Sequence, residues 1–151
     1  MKFTVFTDGG CPSNPGPGAW GFVCKVDDIV TEEYSGFLPS PTTTNNQAEY
    51  RCLEAACIIL SQRTQEQIPE IIQIFSDSML IVEQINGRWK VNLSILPYYQ
   101  SAKAAFEVLS KRSKVSLVWI RRELNQEADE LCGKVLDKYG IVCVKKGKRR
   151  D

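Results

Sequence analysis

The 151-residue sequence predicts an α/β domain built on a five-stranded mixed sheet with helices on its faces. Three observations carry that expectation. The first 37 residues hold three β-patterned segments joined by short connections, as an antiparallel meander requires. A long segment of helical period follows. Beyond it, two apolar, β-branched segments alternate with helical ones, which is how crossover connections feed parallel strands into a sheet.

The elements run in the order βββαβ(αα)βα. Residues 2–8 form the first strand, with Phe3, Val5 and Thr7 alternating against Lys2, Thr4 and Phe6 and ending on Asp8. Gly9 to Gly18 holds four glycines and three prolines and reads as a rigid, tight connection. Residues 19–26 and 29–37 are two further strands around an Asp27-Asp28 turn, and the prolines and threonines of 39–44 form a loop. Asn45-Asn46 is expected to cap a helix of 17 residues whose apolar face holds Ala48, Cys52, Ala55, Ala56, Ile59 and Leu60. Residues 70–76 are apolar enough for a strand buried on both faces. Asp77-Ser78 opens a short helix to Gln84 or Ile85, Asn86-Gly87 breaks it, and Pro97 begins another to Lys111. Residues 115–120 are the fifth strand. A last helix runs from Asn125 to Tyr139, with Gly140 as its stop. Residues 1–144 are taken as the domain and 145–151 as a basic C-terminal tail.

Composition narrows the chemistry. The chain has no histidine, which excludes Ser-His-Asp and Cys-His nucleophile pairs, HExxH zinc sites and imidazole acid–base catalysis. The formal net charge of +1 hides a cancellation. Residues 1–83 carry −7, 84–122 carry +7, 123–144 carry −3 and 145–151 carry +4. A chain with separate basic and acidic sectors can bind a polyanion and also hold divalent cations; equally, such runs serve as solvated helix faces. The six cysteines form no CxxC pair and read as small apolar core residues in a reducing compartment, the cytoplasm. The N-terminus reaches Asp8 too early for a secretory apolar run, and no stretch approaches membrane-spanning length.

Four acids stand at strand ends or helix starts, where an α/β fold builds its crevice: Asp8, Glu49, Asp77 and Asp129. Singly, each reads as a cap or turn carboxylate. Converging, they would repel one another unless a multivalent cation neutralised them, and hard oxygen donors without imidazole point to Mg²⁺ or Mn²⁺.

The sequence around these acids resembles the ribonuclease H family, type 1. Four blocks match in order: Phe6-Thr7-Asp8-Gly9-Gly10 with Asn14-Pro15-Gly16-Pro17-Gly18-Ala19-Trp20-Gly21; Thr44-Asn45-Asn46-Gln47-Ala48-Glu49; Phe75-Ser76-Asp77-Ser78; and Asn125-Gln126-Glu127-Ala128-Asp129-Glu130-Leu131. The resemblance implies a ribonuclease H-like fold and endonucleolytic hydrolysis of the RNA strand of RNA–DNA hybrids, leaving 5′-phosphate and 3′-hydroxyl ends. It implies two Mg²⁺ ions, with Mn²⁺ as a substitute, about 3.5–4 Å apart. Asp8 would bridge them, Glu49 and Asp77 would lie on the substrate side, and Asp129 would hold the ion that activates water.

The connection before the last helix is Arg121-Arg122-Glu123-Leu124, too short for the histidine-bearing loop of many members, so the closest likeness is to the short-loop branch. Arg122 falls on that branch's arginine and would stabilise the scissile phosphate or displaced product; a surface ion pair with Glu123 or Glu127 is the alternative. Family position assigns 2′-hydroxyl contacts to Asn14, Asn46, Gln47 and the backbone of Gly9, Gly10 and Cys11, with Asn45 as contact or cap. Thr44 and Arg88-Trp89-Lys90 would face the DNA strand, Trp89 as an apolar platform or as loop packing. Met79 stands where many members carry glutamine. The basic protrusion of other members is missing, so Lys103, Lys111, Arg112 and Lys114 are candidates for part of its role. A monomer is expected; cleavage of double-stranded RNA, another enzyme of the same superfamily, and a non-catalytic binding module stay open at this point.

Overall fold

The computed structural model describes residues 1–142. Its elements are β1 (Lys2–Gly10), β2 (Gly18–Val26), β3 (Ile29–Leu38), α1 (Asn45–Ser61), β4 (Ile71–Ser76), α2 (Met79–Ile85), α3 (Leu96–Ser110), β5 (Lys114–Trp119) and α4 (Gln126–Lys138). A short 3₁₀ turn, Arg122–Leu124, precedes α4. The sheet order is β3-β2-β1-β4-β5. β1 pairs antiparallel with β2 and parallel with β4, and β5 extends the parallel side. The predicted mixed α/β sheet is therefore the observed one. The expected boundary between domain and tail, and Cys143, lie outside the described residues.

The meander closes as its turn chemistry dictates. Asp27 and Asp28 adopt φ of 52° and 64°, the two-residue left-handed turn that matches the twist of paired strands. Gly9 and Gly10 depart from the expectation. They continue β1, opposite Trp20 and Ala19 in the ladder, and the tight connection starts only at Cys11.

Two cores form, one per sheet face. On one face α1 and α3 cover the sheet, burying Val5, Phe22, Leu53, Leu60, Ile72 and Ile74. On the other, α4 packs over β2 with Cys132 and Leu136 against Ala19. All five described cysteines are unpaired and buried, as small apolar residues are. No described helix is long and apolar enough to cross a membrane.

The cap of α1 is Thr44, not Asn45. Thr44 Oγ1 accepts from Gln47 N at 3.2 Å and Gln47 Oε1 accepts from Thr44 N at 3.2 Å, a complete capping box. Asn45 is thereby released for another task, described below.

The basic residues suggested as a substitute for the missing protrusion do not gather near the acids. Arg112 donates to the carbonyls of Ser61, the last residue of α1, and of Arg63 beyond it, and Lys103 Nζ donates to the Ile85 carbonyl at 2.9 Å. Lys111, Arg112 and Lys114 sit where β5 begins, whereas Asp8 and Asp77 sit at the opposite, C-terminal ends of strands parallel to it. Six strand residues separate those ends by about 20 Å.

Candidate active site

The acid cluster is assembled by backbone contacts. β1 ends in Asp8-Gly9-Gly10, and a Cβ built on Gly9 would stand 2.4 Å from the Ala48 carbonyl oxygen and 2.8 Å from Glu49 N. Only glycine lets the first turn of α1 lie this close to the strand. That contact sets Glu49 beside Asp8. Asp77 arrives from the neighbouring parallel strand: Thr7 pairs with Ser76, and the chain turns out of the sheet at Asp77 into α2. One carboxylate oxygen from each of Asp8, Glu49 and Asp77 lies within 4.8 Å of the others. Asp8 and Glu49 are buried and Asp77 half-buried.

Asp129 sits half-buried in the first turn of α4 and outside that three-acid cluster. One turn on, Cys132 Sγ donates to the Asp8 carbonyl at 3.4 Å, so the α4 face shared by Asp129 and Cys132 lies against the end of β1.

Asn125 is a site residue that sequence reasoning missed. It is 1% exposed and makes no side-chain cap bond to α4. Its Nδ2 donates to the Thr7 carbonyl at 2.8 Å and to Asp77 Oδ2 at 3.0 Å, joining the ends of β1 and β4. An asparagine at a helix start ordinarily signals a cap, which hid this role.

Around the cluster, the Gly-rich connection is tied to the start of α1. Asn45 Oδ1 accepts from Cys11 N at 2.9 Å, Asn14 Oδ1 accepts from Asn45 N at 3.0 Å, and Cys11 Sγ points to the Thr43 carbonyl at 3.2 Å. Burial pushes the Cys11 thiol up. Asn14, Thr44, Asn45, Asn46 and Gln47 line one polar cleft of about 450 Å³. Asn92 and Ser94 line it as well. These two escaped the sequence reading because they look like ordinary turn residues before α3; Asn92 Oδ1 does accept from Ser94 Oγ at 2.6 Å.

Arg88, Trp89 and Lys90 form the exposed stretch after α2, with Trp89 46% exposed. The Arg88 guanidinium is held bidentately by Glu83 at 2.7 and 2.8 Å, which raises the affinity of Arg88 for its proton and lowers that of Glu83. Arg122 is exposed in the 3₁₀ turn. Met79, at the first residue of α2, is 44% exposed.

A mixed five-stranded sheet bearing carboxylates at the ends of its central strands defines the ribonuclease H-like class of α/β domains, and solved structures agree. The chain matches LC11-RNase H1, an enzyme isolated from compost by a metagenomic approach and solved in complex with an RNA/DNA hybrid, with TM-score 0.78 and 31% identity over 91% of this chain and 98% of that one. It matches RNase H1 of the archaeon Halobacterium salinarum with TM-score 0.76 and 29% identity over 91% and 99%. The sequence profile described as RNase H covers residues 1–136, and the chain belongs to the RNase H family. Among curated relatives, it is 34% identical over 138 residues to the bifunctional protein Rv2228c of Mycobacterium tuberculosis, covering 91% of this chain. This chain spans only 36% of that longer protein. The ribonuclease H of Chlorobium chlorochromatii is 36% identical over 106 residues, 70% of this chain and 66% of that one.

Proposed function

We propose that this chain is an endonuclease that hydrolyses the RNA strand of RNA–DNA hybrids, leaving 5′-phosphate and 3′-hydroxyl ends. The observation that carries the reading is the convergence of Asp8, Glu49 and Asp77 within 4.8 Å, in a chain of the RNase H family. The hybrid bound by the compost enzyme supports the choice of substrate.

The donor set fits divalent cations. Three carboxylates this close repel one another, and hard oxygen donors without imidazole or thiolate suit Mg²⁺, with Mn²⁺ as the substitute. Asp8, Glu49 and Asp77 would hold two ions, with Asp129 completing the second from α4. When bound, such ions lower the pKa of the attacking water and stabilise the departing 3′ oxygen. The chain's own residues supply position. Gly9 and Asn125 set the spacing of the carboxylates, and Arg122, exposed beside α4, offers a permanent positive charge to the scissile phosphate or released product.

The polar cleft of Asn14, Thr44, Asn45, Asn46 and Gln47 supplies short donors and acceptors suited to 2′-hydroxyls, beside the backbone of Gly9, Gly10 and Cys11. Trp89, with Arg88 and Lys90, is assigned to the DNA strand, where a half-exposed indole offers an apolar face to a deoxyribose. Buried, unpaired thiols suit a reducing compartment, and the cytoplasm as a monomer is the assigned setting. The test is one gel comparing labelled hybrid, duplex RNA and duplex DNA with Mg²⁺ or Mn²⁺. Cleavage of the hybrid's RNA strand, lost when its riboses are replaced by deoxyriboses, is expected. Cutting of duplex DNA would overturn the reading, and cutting of duplex RNA would widen it.

A further inference from the structure

We infer that Gln84 is a positioning residue that sets the Trp89–Lys90 segment in register with the carboxylate cluster, so that contact with the DNA strand and cleavage of the RNA strand stay aligned. The inference rests on the hybrid-cleaving reading above.

Gln84 lies on α2, among Ile81, Val82 and Ile85, and is 2% exposed. An amide buried there is costly unless both its ends are bonded, whereas leucine would pack with no such debt. Both ends are bonded. The Tyr50 hydroxyl donates to Gln84 Oε1, and Gln84 Nε2 donates to the Lys90 carbonyl at 3.0 Å. Tyr50 is fully buried on α1 and follows Glu49 directly. A continuous hydrogen-bonded path thus runs from the helix carrying a cluster carboxylate, through Gln84, to the backbone beside Trp89.

The start of the same segment is fastened separately. Arg88 N and Trp89 N donate to the Glu83 carbonyl at 2.8 and 3.2 Å, and Gly87, with φ of 79°, makes the turn. Glu83 therefore fixes where the segment begins, and Gln84 fixes where Trp89 and Lys90 lie relative to α1. A buried polar link of this kind specifies one geometry where an apolar contact would tolerate several.

The test uses the full chain with Gln84→Leu and Gln84→Glu; the glutamate keeps the size and the acceptor for Tyr50 but loses the donor to Lys90. For both, KM for the hybrid and the dissociation constant of the hybrid in Ca²⁺ should rise together by about tenfold, from loss of the hydrogen bond to the Lys90 carbonyl that the two variants share. kcat should stay within twofold and ion binding measured by calorimetry should not change. In a Trp89→Ala background, Gln84→Leu should raise KM by less than it does alone, because both changes act on the same segment. Unchanged KM in the folded variants, a loss confined to kcat, or additive effects with Trp89→Ala would overturn the inference. Failure of the unaltered chain to bind hybrid would overturn the functional reading instead.

Discussion

Asn125 Nδ2 stands 3.0 Å from Asp77 Oδ2 and bridges it to the Thr7 carbonyl, so a residue at the head of α4 holds a carboxylate at the end of β4. Replacing Asn125 with alanine leaves the Thr7 carbonyl without that donor and lets Asp77 move. The expected result is a stability loss of about 1–3 kcal/mol by urea denaturation and a 10–100-fold weaker divalent-ion affinity, roughly the effect of losing a group that orients a ligand. Ion affinity equal to that of the unaltered chain would show that Asp77 needs no such support.

Asp77→Asn separates chemistry from folding. It removes one of three carboxylates that lie within 4.8 Å, relieving their repulsion when no ion is present. Melting in a chelator should therefore move up, while Mg²⁺-dependent cleavage of a labelled hybrid falls by more than about 100-fold, beyond what loss of an orienting group causes. Hybrid binding in Ca²⁺ should survive. Undiminished cleavage would remove Asp77 from the site.

Gly9→Ala tests the close approach of strand and helix. The added methyl would meet the Ala48 carbonyl oxygen at 2.4 Å, so α1 must shift away from β1. A loss of about 1–3 kcal/mol is expected, as for other overpacked contacts, with weaker Ca²⁺ binding in a calorimetric titration because Glu49 moves with the helix. A destabilised variant with unchanged Ca²⁺ affinity would show that Glu49 does not depend on this contact.

The buried thiols predict an alkaline limit. Burial pushes Cys24 and Cys57 from their ordinary value near 9 up to about 12, and moves Cys52, Cys132 and Tyr50 the same way. Above pH 9 the unfolded chain releases the thiol protons while the folded chain keeps them, and Tyr50 adds to the difference from about pH 10. Stability is then fully present below pH 9 and declines toward pH 12. A Cys24→Ala, Cys57→Ala variant should show a shallower fall in urea midpoint between pH 9 and 11 than the unaltered chain. Parallel curves would assign the decline to other groups.

Much of this site was legible in the sequence because the acids sit in short local patterns. Asp8, Glu49 and Asp77 each stand beside a strand end or helix start, and the structure brings those three together. What escaped depends on distant partners or on competition between neighbours. Gly9 and Gly10 look like a turn until Trp20 and Ala19 pair with them. Thr44, Asn45 and Asn46 can all cap a helix; Gln47, three residues after Thr44, decides it through the capping box, a signal present in the sequence. Net charge along the chain reported a basic sector but not that Arg112 and Lys114 lie at the far end of the sheet.

Asp8 lies within β1, the central strand of the sheet, and Asp77 directly follows β4, its parallel neighbour. Backbone amides in such central strands exchange with solvent only when most of the domain opens, whereas edge strands and loops open locally. Two of the three clustered carboxylates are thus expected to sit on the slowest-exchanging strands, and the Trp89 segment in a faster part of the molecule. Thermal fluctuation short of global unfolding would loosen the contact proposed between the Trp89 segment and the DNA strand long before it disturbed the spacing of the acids.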